Sequence, residues 1–187
     1  MTGATPDDEL LRRIGMRDEA ALRLLFTRHR LPVFRFLVRM VRSEAVAEEI
    51  ANEVFLEVWR HAASYEGRSA VSTWILSIAR NRAASLMRKR RDEPLEDGRA
   101  EAEPDDADDP EVVAQKGDKA AALRRCMGRL SVEHREIVDL VYYHEMSVAE
   151  VAAVVGIPEA TVKTRMFYAR KKLSELLTEA GIDRGWP

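Results

Sequence analysis

The stretch GIPEATVKTRMFYARKK, residues 156–172, decides how the second half of the chain folds. It opens with a Gly-Ile-Pro turn signal and continues with the composition of a helix. No acidic residue occurs between Lys163 and Lys172, although surface helices usually pair acids with bases at i,i+4 spacing. A helix whose surface carries only cations indicates an anionic partner.

The residues before this stretch complete a recognisable motif. Ser147 and Glu150 form a capping box ahead of the apolar run VAEVAAVV, and Gly156 supplies a tight turn after it. A short helix, a turn with glycine and a second helix are the signature of a helix-turn-helix. The residues expected to close its small core are Val151, Val155, Ile157, Val162 and Met166.

In a helix-turn-helix, the second helix enters the major groove of DNA with its N-terminal residues toward the base edges. Glu159 can accept a hydrogen bond from a cytosine amino group, and Arg165 can donate to guanine or phosphate. The residues expected at this DNA surface are Glu159, Ala160, Thr161, Lys163, Thr164, Arg165, Arg170 and Lys171. The alternative is a basic structural helix that binds no nucleic acid.

The composition of the 187 residues favours an all-α protein. Ala, Leu, Glu and Arg are plentiful, whereas runs with period-two alternation are scarce. No stretch approaches the roughly 18 apolar residues of a membrane span, and the acidic N-terminus does not resemble a signal peptide. We therefore expect a cytoplasmic protein without membrane insertion.

The residues that carry chemistry do not form any catalytic pattern. The single cysteine, Cys126, excludes an internal disulfide and is expected to be a small buried hydrophobe. No Cys/His spacing suggests zinc, and neither a phosphate-binding glycine loop nor a nucleophile elbow occurs. We expect no enzymatic activity, no cofactor, no metal site and no small-molecule substrate.

Charge divides the chain into three blocks, with net charges of +6 for residues 1–91, −10 for 92–118 and +2 for 119–187. The middle block has three prolines, two glycines and few large apolar residues, so it cannot offset the entropy of its own ordering. Its prolines also interrupt the alternative, an ordered acidic helix. The sequence predicts two small helical domains, 1–91 and 119–187, joined by a flexible acidic linker.

Four helices are expected in the first block, starting with one over Asp7–Gly15. Pro32 is expected to kink the second helix or divide it in two. The fourth ends in a run of cations, residues 88–91, that exceeds what capping by the helix dipole needs. The expected starts of the second, third and fourth helices are Asp18, Ser43, and Ser69 or Ser72.

The third expected helix has two contrasting faces. Val46, Ile50, Val54 and Val58 repeat at every fourth residue and predict a buried row. The opposite face carries Glu48, Glu49, Asn52, Glu53 and Glu57.

Three segments together resemble the extracytoplasmic-function (ECF) sigma factors, two-domain transcription initiation factors of bacteria. AEEIANEVFLEVWR (47–60) resembles region 2.2 of that family, and YEGRSAVSTWILSIARN (65–81) resembles regions 2.3 and 2.4. LSVEHREIVDLVYYHEMSVAEVAAVVGIPEATVKTRMFYARKKL (130–173) resembles region 4. The order and spacing of the three segments are more specific to this family than any one segment alone.

The resemblance implies that the acidic face of the third helix docks on the coiled coil of the largest polymerase subunit. The residues implied are Glu48, Glu49, Asn52 and Glu53, with Asn52 standing where the family commonly has Gln.

The resemblance also implies that residues 65–72 capture a base flipped from the minus-ten element and that Asn81 contacts a base. Trp74 has helical spacing with Ile78, which also fits a core position. The minus-ten residues implied are Tyr65, Arg68, Ser72, Trp74, Arg80, Asn81, Arg82, Arg88, Lys89, Arg90 and Arg91.

A member of this family binds core RNA polymerase, recognises the minus-thirty-five element of promoter DNA with its helix-turn-helix, and melts the minus-ten element. No long sensory extension follows the last helix, so we expect regulation by a separate anti-sigma factor. Two alternatives remain at the sequence level: a stand-alone helix-turn-helix regulator, which needs a dimer to read two half-sites, and a helical adaptor with protein partners only.

Overall fold

The computed structural model describes residues 5–92 and 116–181, and these ranges contain eight α-helices and no strand. The helices are α1 (Asp7–Gly15), α2 (Glu19–Val41), α3 (Glu44–His61), α4 (Val71–Asp92), α5 (Lys116–Gly128), α6 (Val132–Tyr142), α7 (Val148–Val155) and α8 (Glu159–Glu179), with a 3₁₀ turn at Ala62–Ser64. The all-α prediction is confirmed. Among the described helices, none has both the length and the apolar character that crossing a bilayer requires.

The chain divides into two compact units, the first containing α1 to α4 and the second containing α5, α6 and α8. Most of the expected linker, residues 93–115, lies outside the described residues. Its two ends are helical, because α4 runs through Asp92 and α5 begins at Lys116. The domain boundaries 1–91 and 119–187 therefore stay a prediction.

The core of the first unit is the space that α2, α3 and α4 share. Each of these helices packs against the other two. The α3 row predicted from spacing lies there, with Val54 and Val58 at 0% exposure and Ile50 at 5%. Phe36 and Ile75, both at 0% exposure, face the same interior from α2 and α4. Val46, at the start of the row, is only half-buried.

The helix starts agree with the sequence at two positions and differ at a third. The Asp18 carboxylate accepts hydrogen bonds from the backbone N–H groups of Ala20 (2.9 Å) and Ala21 (3.1 Å), and Ser43 caps α3. Neither Ser69 nor Ser72 caps α4. That helix begins at Val71, and its first backbone bond is accepted by the carbonyl of Ala70. The expected serine starts are therefore wrong: Ala70, which lies between the two serines, is the residue directly before α4.

Pro32 does not divide the second helix. α2 runs without interruption over its 23 residues, with Pro32 on its exposed side. A proline removes one backbone hydrogen bond from a helix interior. Burial of Val33, Phe36 and Leu37 directly after it stabilises the second half of α2 against that loss.

Helix α1 is fixed to α2 by a polar cluster and to the 3₁₀ turn by close packing. The Asp7 carboxylate accepts a hydrogen bond from Arg28 and lies 2.7 Å from Nε2 of His29. Burial alone would raise the pKa of Asp7, but the hydrogen bonds from Arg28 and His29 lower it below its ordinary value. A Cβ at Gly15 would lie 3.2 Å from Cα of Ala63, so a larger residue there would require the 3₁₀ turn to shift by a few tenths of an ångström.

In the second unit, α8 packs against both α5 and α6. Its core differs from the one expected from the helix-turn-helix alone. Val151 and Val162 are buried as predicted, but Met166 only borders the main cluster. The cluster consists of Cys126, Met127, Leu130, Val138, Ala169, Leu173, Leu176 and Leu177. The prediction that Cys126 is a small buried hydrophobe is confirmed.

The turn between α7 and α8 has the geometry that the sequence predicts. Ser147 and Glu150 exchange hydrogen bonds at the start of α7, with Ser147 N–H donating to Glu150 Oε2 over 2.9 Å. Gly156 has φ = +72°, in the region that favours glycine. Pro158 occupies the N-cap position of α8, so the recognition-type helix begins at Glu159.

Candidate functional site

The acidic residues expected to bind polymerase form one continuous exposed surface on α3. Glu48, Glu49, Asn52 and Glu53 are all exposed, at spacings that align them along one side of the helix. We call this surface the acidic face of α3. Leu56 extends it by one more turn and is 54% exposed, although sequence reasoning did not select it. Leu56 is the one large apolar side chain exposed on this face of α3, and single exposed leucines are common on protein surfaces.

Two members of the acidic face lie near cations of neighbouring helices. Glu48 is 3.3 Å from Arg30 of α2, and Glu53 is 3.6 Å from Arg82 of α4. All of these side chains are more than 40% exposed. Exposed ion pairs contribute about 0–1 kcal/mol, so they leave the carboxylates available to a stronger partner.

The segment between the 3₁₀ turn and α4 holds the residues expected to capture a base. Tyr65 donates a hydrogen bond from its hydroxyl to the carbonyl of Ser69, which closes residues 65–69 into a tight loop. Gly67 has φ = +68° at the tip of this loop. Arg68 is highly exposed and forms an ion pair with Glu66, while Ser72 is half-buried in the first turn of α4.

Tyr65 in this loop packs against Trp74 of α4. The rings of Tyr65 and Trp74 lie 5.1 Å apart between centroids, tilted by 50°. Both side chains are half-buried, so Trp74 is neither a full core residue nor a free one. Burial, followed by the negative charge of Asp8, raises the pKa of Tyr65 above its ordinary value. Each ring of the pair offers a face of the kind on which an unstacked base packs.

Three expected minus-ten residues share one stripe along α4. Trp74, Asn81 and Arg88 are seven residues apart, nearly two whole helical turns, and therefore lie one above the other. Asn81 and Arg88 are exposed. Lys89 and Arg90 are exposed at the end of the same helix, and the side chain of Arg91 lies outside the described residues.

Arg80 and Arg82 are set apart from this stripe. Helical spacing turns Arg80 well away from Asn81, and its side chain is half-buried. Arg82 is turned toward α3, where its guanidinium is bound by Glu57 and lies close to Glu53. Sequence spacing does not reveal this arrangement, because it depends on how α4 packs against α3.

The first two turns of α8 expose most of the residues expected to read DNA. Glu159, Ala160, Lys163 and Thr164 are exposed. The Thr164 hydroxyl donates to the carbonyl of Ala160 over 3.0 Å, which leaves its lone pairs as acceptors. Thr161 is half-buried.

Arg165 lies close to α6. Its positive charge helps to lower the pKa of Glu133, after the larger effects of hydrogen bonds to that carboxylate from its own backbone N–H and from Ser131. Arg165 is half-buried, so it is less available for a groove contact than Lys163.

Arg170 and Lys171 lie farther along α8, beyond the turns that are expected to read bases. The Arg170 guanidinium lies 5.6 Å from the centre of the Tyr142 ring, which orients it by a cation–π contact. Lys171 is exposed. Their position suits phosphate contacts rather than base contacts.

Sequence reasoning missed two exposed aromatic residues on α8. Phe167 and Tyr168 are 64% and 55% exposed, and their rings meet edge to face at 5.4 Å. The signal was present in the spacing, since the buried row of Val162, Ala169 and Leu173 leaves both positions outside the core.

Among residues 5–92 and 116–181, no group of three or more His, Cys, Asp or Glu side chains has a metal-binding arrangement. Carboxylates, cations and aromatic rings instead form separate surfaces, each suited to a protein or a nucleic-acid partner.

Two family models match separate parts of the chain. The family model Sigma-70 region 2 matches residues 25–93, and the model Sigma-70, region 4 matches residues 120–173. The ECF RNA polymerase sigma factor RpoE of Cereibacter sphaeroides is 34% identical over 162 residues, which are 85% of this chain and 87% of that protein. The ECF RNA polymerase sigma factor SigL of Mycobacterium tuberculosis is 28% identical, over 89% of this chain and 94% of that protein.

Two solved structures have the same fold. CnrH, in complex with the cytosolic domain of CnrY, has a TM-score of 0.69 at 21% identity, covering 92% of this chain and 97% of CnrH. The sigma factor RpoE of Bartonella quintana, in complex with the anti-sigma factor NepR, has a TM-score of 0.67 at 22% identity. That match covers 87% of this chain and 98% of the RpoE chain.

The contact between Arg82 and Glu57 leads to a prediction about DNA affinity. The substitution Glu57→Gln removes the nearer carboxylate from Arg82, so the free protein should bind a labelled single-stranded oligonucleotide more tightly, by roughly two- to fivefold. Fluorescence anisotropy at two salt concentrations measures the change, and the gain should shrink at the higher one.

Glu19→Gln is the matched control, because it makes the same change in net charge and removes the exposed partner of Arg23 on α2. An equal gain in both variants would show that net charge alone is responsible and that Arg82 has no special role.

Proposed function

This chain belongs to the ECF RNA polymerase sigma factors, and we propose that its two units divide promoter recognition between them. As a bacterial transcription initiation factor, it directs core RNA polymerase to specific promoters. The observation that carries this conclusion is the match of region 2 and region 4 to the two units in the order that the family requires. A stand-alone regulator or a protein-only adaptor leaves the region 2 match unexplained.

The proposed polymerase contact is the acidic face of α3. Its support is exposure: Glu48, Glu49, Asn52 and Glu53 lie on one accessible side of a helix whose other side is buried. Exposed Leu56 adds an apolar anchor at the end of this face. Charged surfaces speed the encounter with a partner of opposite charge, and an apolar contact beside them adds to the stability of docking.

The proposed minus-ten contacts are the Tyr65–Trp74 pair, Asn81 and the cations near the end of α4. Extruding a base from the stack costs a few kcal/mol, and a stacking surface with polar groups beside it recovers that cost. The tilted pair and the exposed Asn81 amide supply these two parts. Arg88, Lys89 and Arg90 hold phosphates by charge in this proposal.

The proposed minus-thirty-five contacts lie on the first turns of α8. Glu159, Lys163 and Thr164 are exposed and project from the end of the helix that enters the groove in a helix-turn-helix. Arg170 and Lys171 hold phosphates farther along. In this proposal the protein acts in the cytoplasm by binding alone, without catalysing a reaction itself.

We further propose that an anti-sigma factor restrains the protein by occupying the acidic face of α3, the exposed face of α8, or both. Both faces are exposed and carry opposite charge, so one antagonist with complementary segments is able to cover them. Co-purification from the native host, under conditions in which its promoters are silent, should recover a stoichiometric protein partner. Recovery of only free or polymerase-bound protein under those conditions would contradict this proposal.

Charge reversal tests the polymerase contact. Glu49→Lys and Glu53→Lys should each weaken binding to core polymerase at least tenfold if the carboxylates meet cations directly, since lost charge pairs at interfaces cost about 2 kcal/mol or more. Surface plasmon resonance with immobilised core measures the change. Glu19→Lys, an exposed reversal on α2 outside this face, is the control and should bind normally. Normal affinity in both α3 variants, with unchanged circular dichroism, would rule the contact out.

Strand opening tests the base-capture role. Tyr65→Ala and Asn81→Ala should slow promoter opening by roughly fivefold or more while leaving polymerase affinity unchanged, because each removes about 1–3 kcal/mol of base contact. Permanganate footprinting of the holoenzyme on a responsive promoter reports the opened bases. Thr27→Ala, an exposed change on α2, serves as the control. Opening at the wild-type rate in both variants would refute the assignment.

A further inference from the structure

A cavity of about 610 Å³ lies between α1 and the segment that connects α3 to α4. Helix α1 contributes Asp8 and Arg12 to one wall, and Met16, the residue directly after α1, extends it. The opposite wall contains the 3₁₀ turn, Tyr65 and Gly67. Tyr65 therefore faces a second structural element besides Trp74, and neither Asp8 nor Arg12 was selected by sequence reasoning.

The two walls are held in fixed positions. The close approach of Gly15 to the backbone of Ala63 joins α1 to the 3₁₀ turn, and the contacts of Asp7 with Arg28 and His29 join the start of α1 to α2. A cavity between elements fixed in this way exists before a ligand arrives, so binding costs little ordering entropy.

The three acidic residues in the first turn of α1 differ in their hydrogen-bond and ion-pair partners. Asp7 is bound by Arg28 and His29, and Glu9 is bound by Arg12. Asp8 is exposed and has no hydrogen-bond or ion-pair partner within the described residues. Its charge nevertheless acts on Tyr65, since after burial it is the second cause that raises the pKa of that hydroxyl. Asp8 is thus a carboxylate that faces the cavity without an internal role beyond the helix dipole.

Arg12 is a hydrogen-bond donor on the same wall of the cavity. Arg12 uses Nε and Nη2 to donate to the two oxygens of Glu9, at 2.9 Å and 2.7 Å. Its Nη1 makes no bond to that carboxylate. The wall therefore presents an acceptor, Asp8, and a donor, Arg12, one helical turn apart.

The rest of the lining is suited to a flat, partly apolar ligand. Tyr65 presents a half-buried ring, and the Met16 side chain is 63% exposed. Aromatic rings and thioethers pack against the faces of planar groups, whereas an acceptor and a donor recognise polar edges. An unpaired nucleobase combines these features. A phosphate does not, because the free Asp8 carboxylate would repel it.

We propose that Asp8 accepts a hydrogen bond from the exocyclic amino group of the unpaired base that enters this cavity, so that α1 acts with the 65–69 loop in selecting the base. This inference rests on the proposed minus-ten role of Tyr65, the one residue of the Tyr65–Trp74–Asn81 set that lines the cavity, and adds a specificity determinant to it. Adenine, cytosine and guanine each carry an exocyclic amino group. Thymine does not, and its only ring N–H lies between two carbonyl oxygens that repel a carboxylate, so the cavity disfavours thymine.

Deletion of single amino groups tests the contact. Holoenzyme is assembled on promoter templates in which each minus-ten base of the non-template strand is replaced in turn by its analogue without the amino group: purine for adenine, 2-pyrimidinone for cytosine and inosine for guanine. With the wild-type protein, one position should lose about tenfold in open-complex stability, the size expected for one good base-edge contact. With Asp8→Ala, the same replacement should have little effect.

Two further variants make the outcome specific. Asp8→Asn keeps an acceptor oxygen and should retain part of the discrimination, whereas Glu19→Ala, on α2 and outside the cavity, should behave as wild type. Equal losses for wild type and Asp8→Ala at every position would overturn the inference. So would an Asp8→Ala variant that opens all templates more slowly regardless of base, because that result indicates a structural role.

The same experiment separates failure of this inference from failure of the proposed function. If Tyr65→Ala slows opening but Asp8→Ala keeps the wild-type pattern of base sensitivity, base capture stands and the α1 contact is rejected. If Tyr65→Ala opens DNA normally and no position responds to loss of an amino group, the base-capture role itself is rejected, and the role of Asp8 with it.

Discussion

Burial of the apolar row of α3 between α2 and α4 is the constraint on which the first unit depends. Val54 and Val58 are fully buried, and Ile50 is nearly so. Because a helix has 3.6 residues per turn, burial of this row places Glu49 and Glu53 on the exposed side of α3. The same packing brings α4 alongside α3, which sets the direction of Arg82. One apolar row therefore positions two polar surfaces.

These two surfaces carry opposite charge on neighbouring helices. The acidic face of α3 repels nucleic acid and attracts a basic protein surface, whereas the cations near the end of α4 do the reverse. In the proposed function, this arrangement directs the acidic face of α3 toward a protein and the cations of α4 toward DNA. Arg82 lies at the boundary, where Glu57 and Glu53 reduce the effect of its charge. The difference in electrostatic potential between the acidic face of α3 and the cations of α4 is therefore smaller around Arg82.

Periodicity and capping chemistry were enough to predict the helices, the buried α3 row and the Gly156 turn, because these depend on residues close together in sequence. What the sequence leaves open depends on packing. Pro32 does not divide α2, because the residues directly after it are buried, and the contact of Arg82 with Glu57 is not visible in the sequence because it depends on α3 and α4 packing side by side. The cavity beside Tyr65 was invisible for the same reason: its α1 wall lies about fifty residues away along the chain.

One buried row of residues both packs α8 into the core and sets the direction of its exposed side chains. Val162, Ala169, Leu173 and Leu176 are each at most 3% exposed and fix the rotation of the helix about its axis. Rotation by a single residue, about 100°, would carry Lys163 into the place of Val162 and bury a charge without a partner, which is costly. The orientation of the proposed DNA-reading side chains is therefore set by residues that face the protein interior. In each turn of α8, the residues that pack in the core and the residues proposed to bind DNA therefore occupy different sides of the helix.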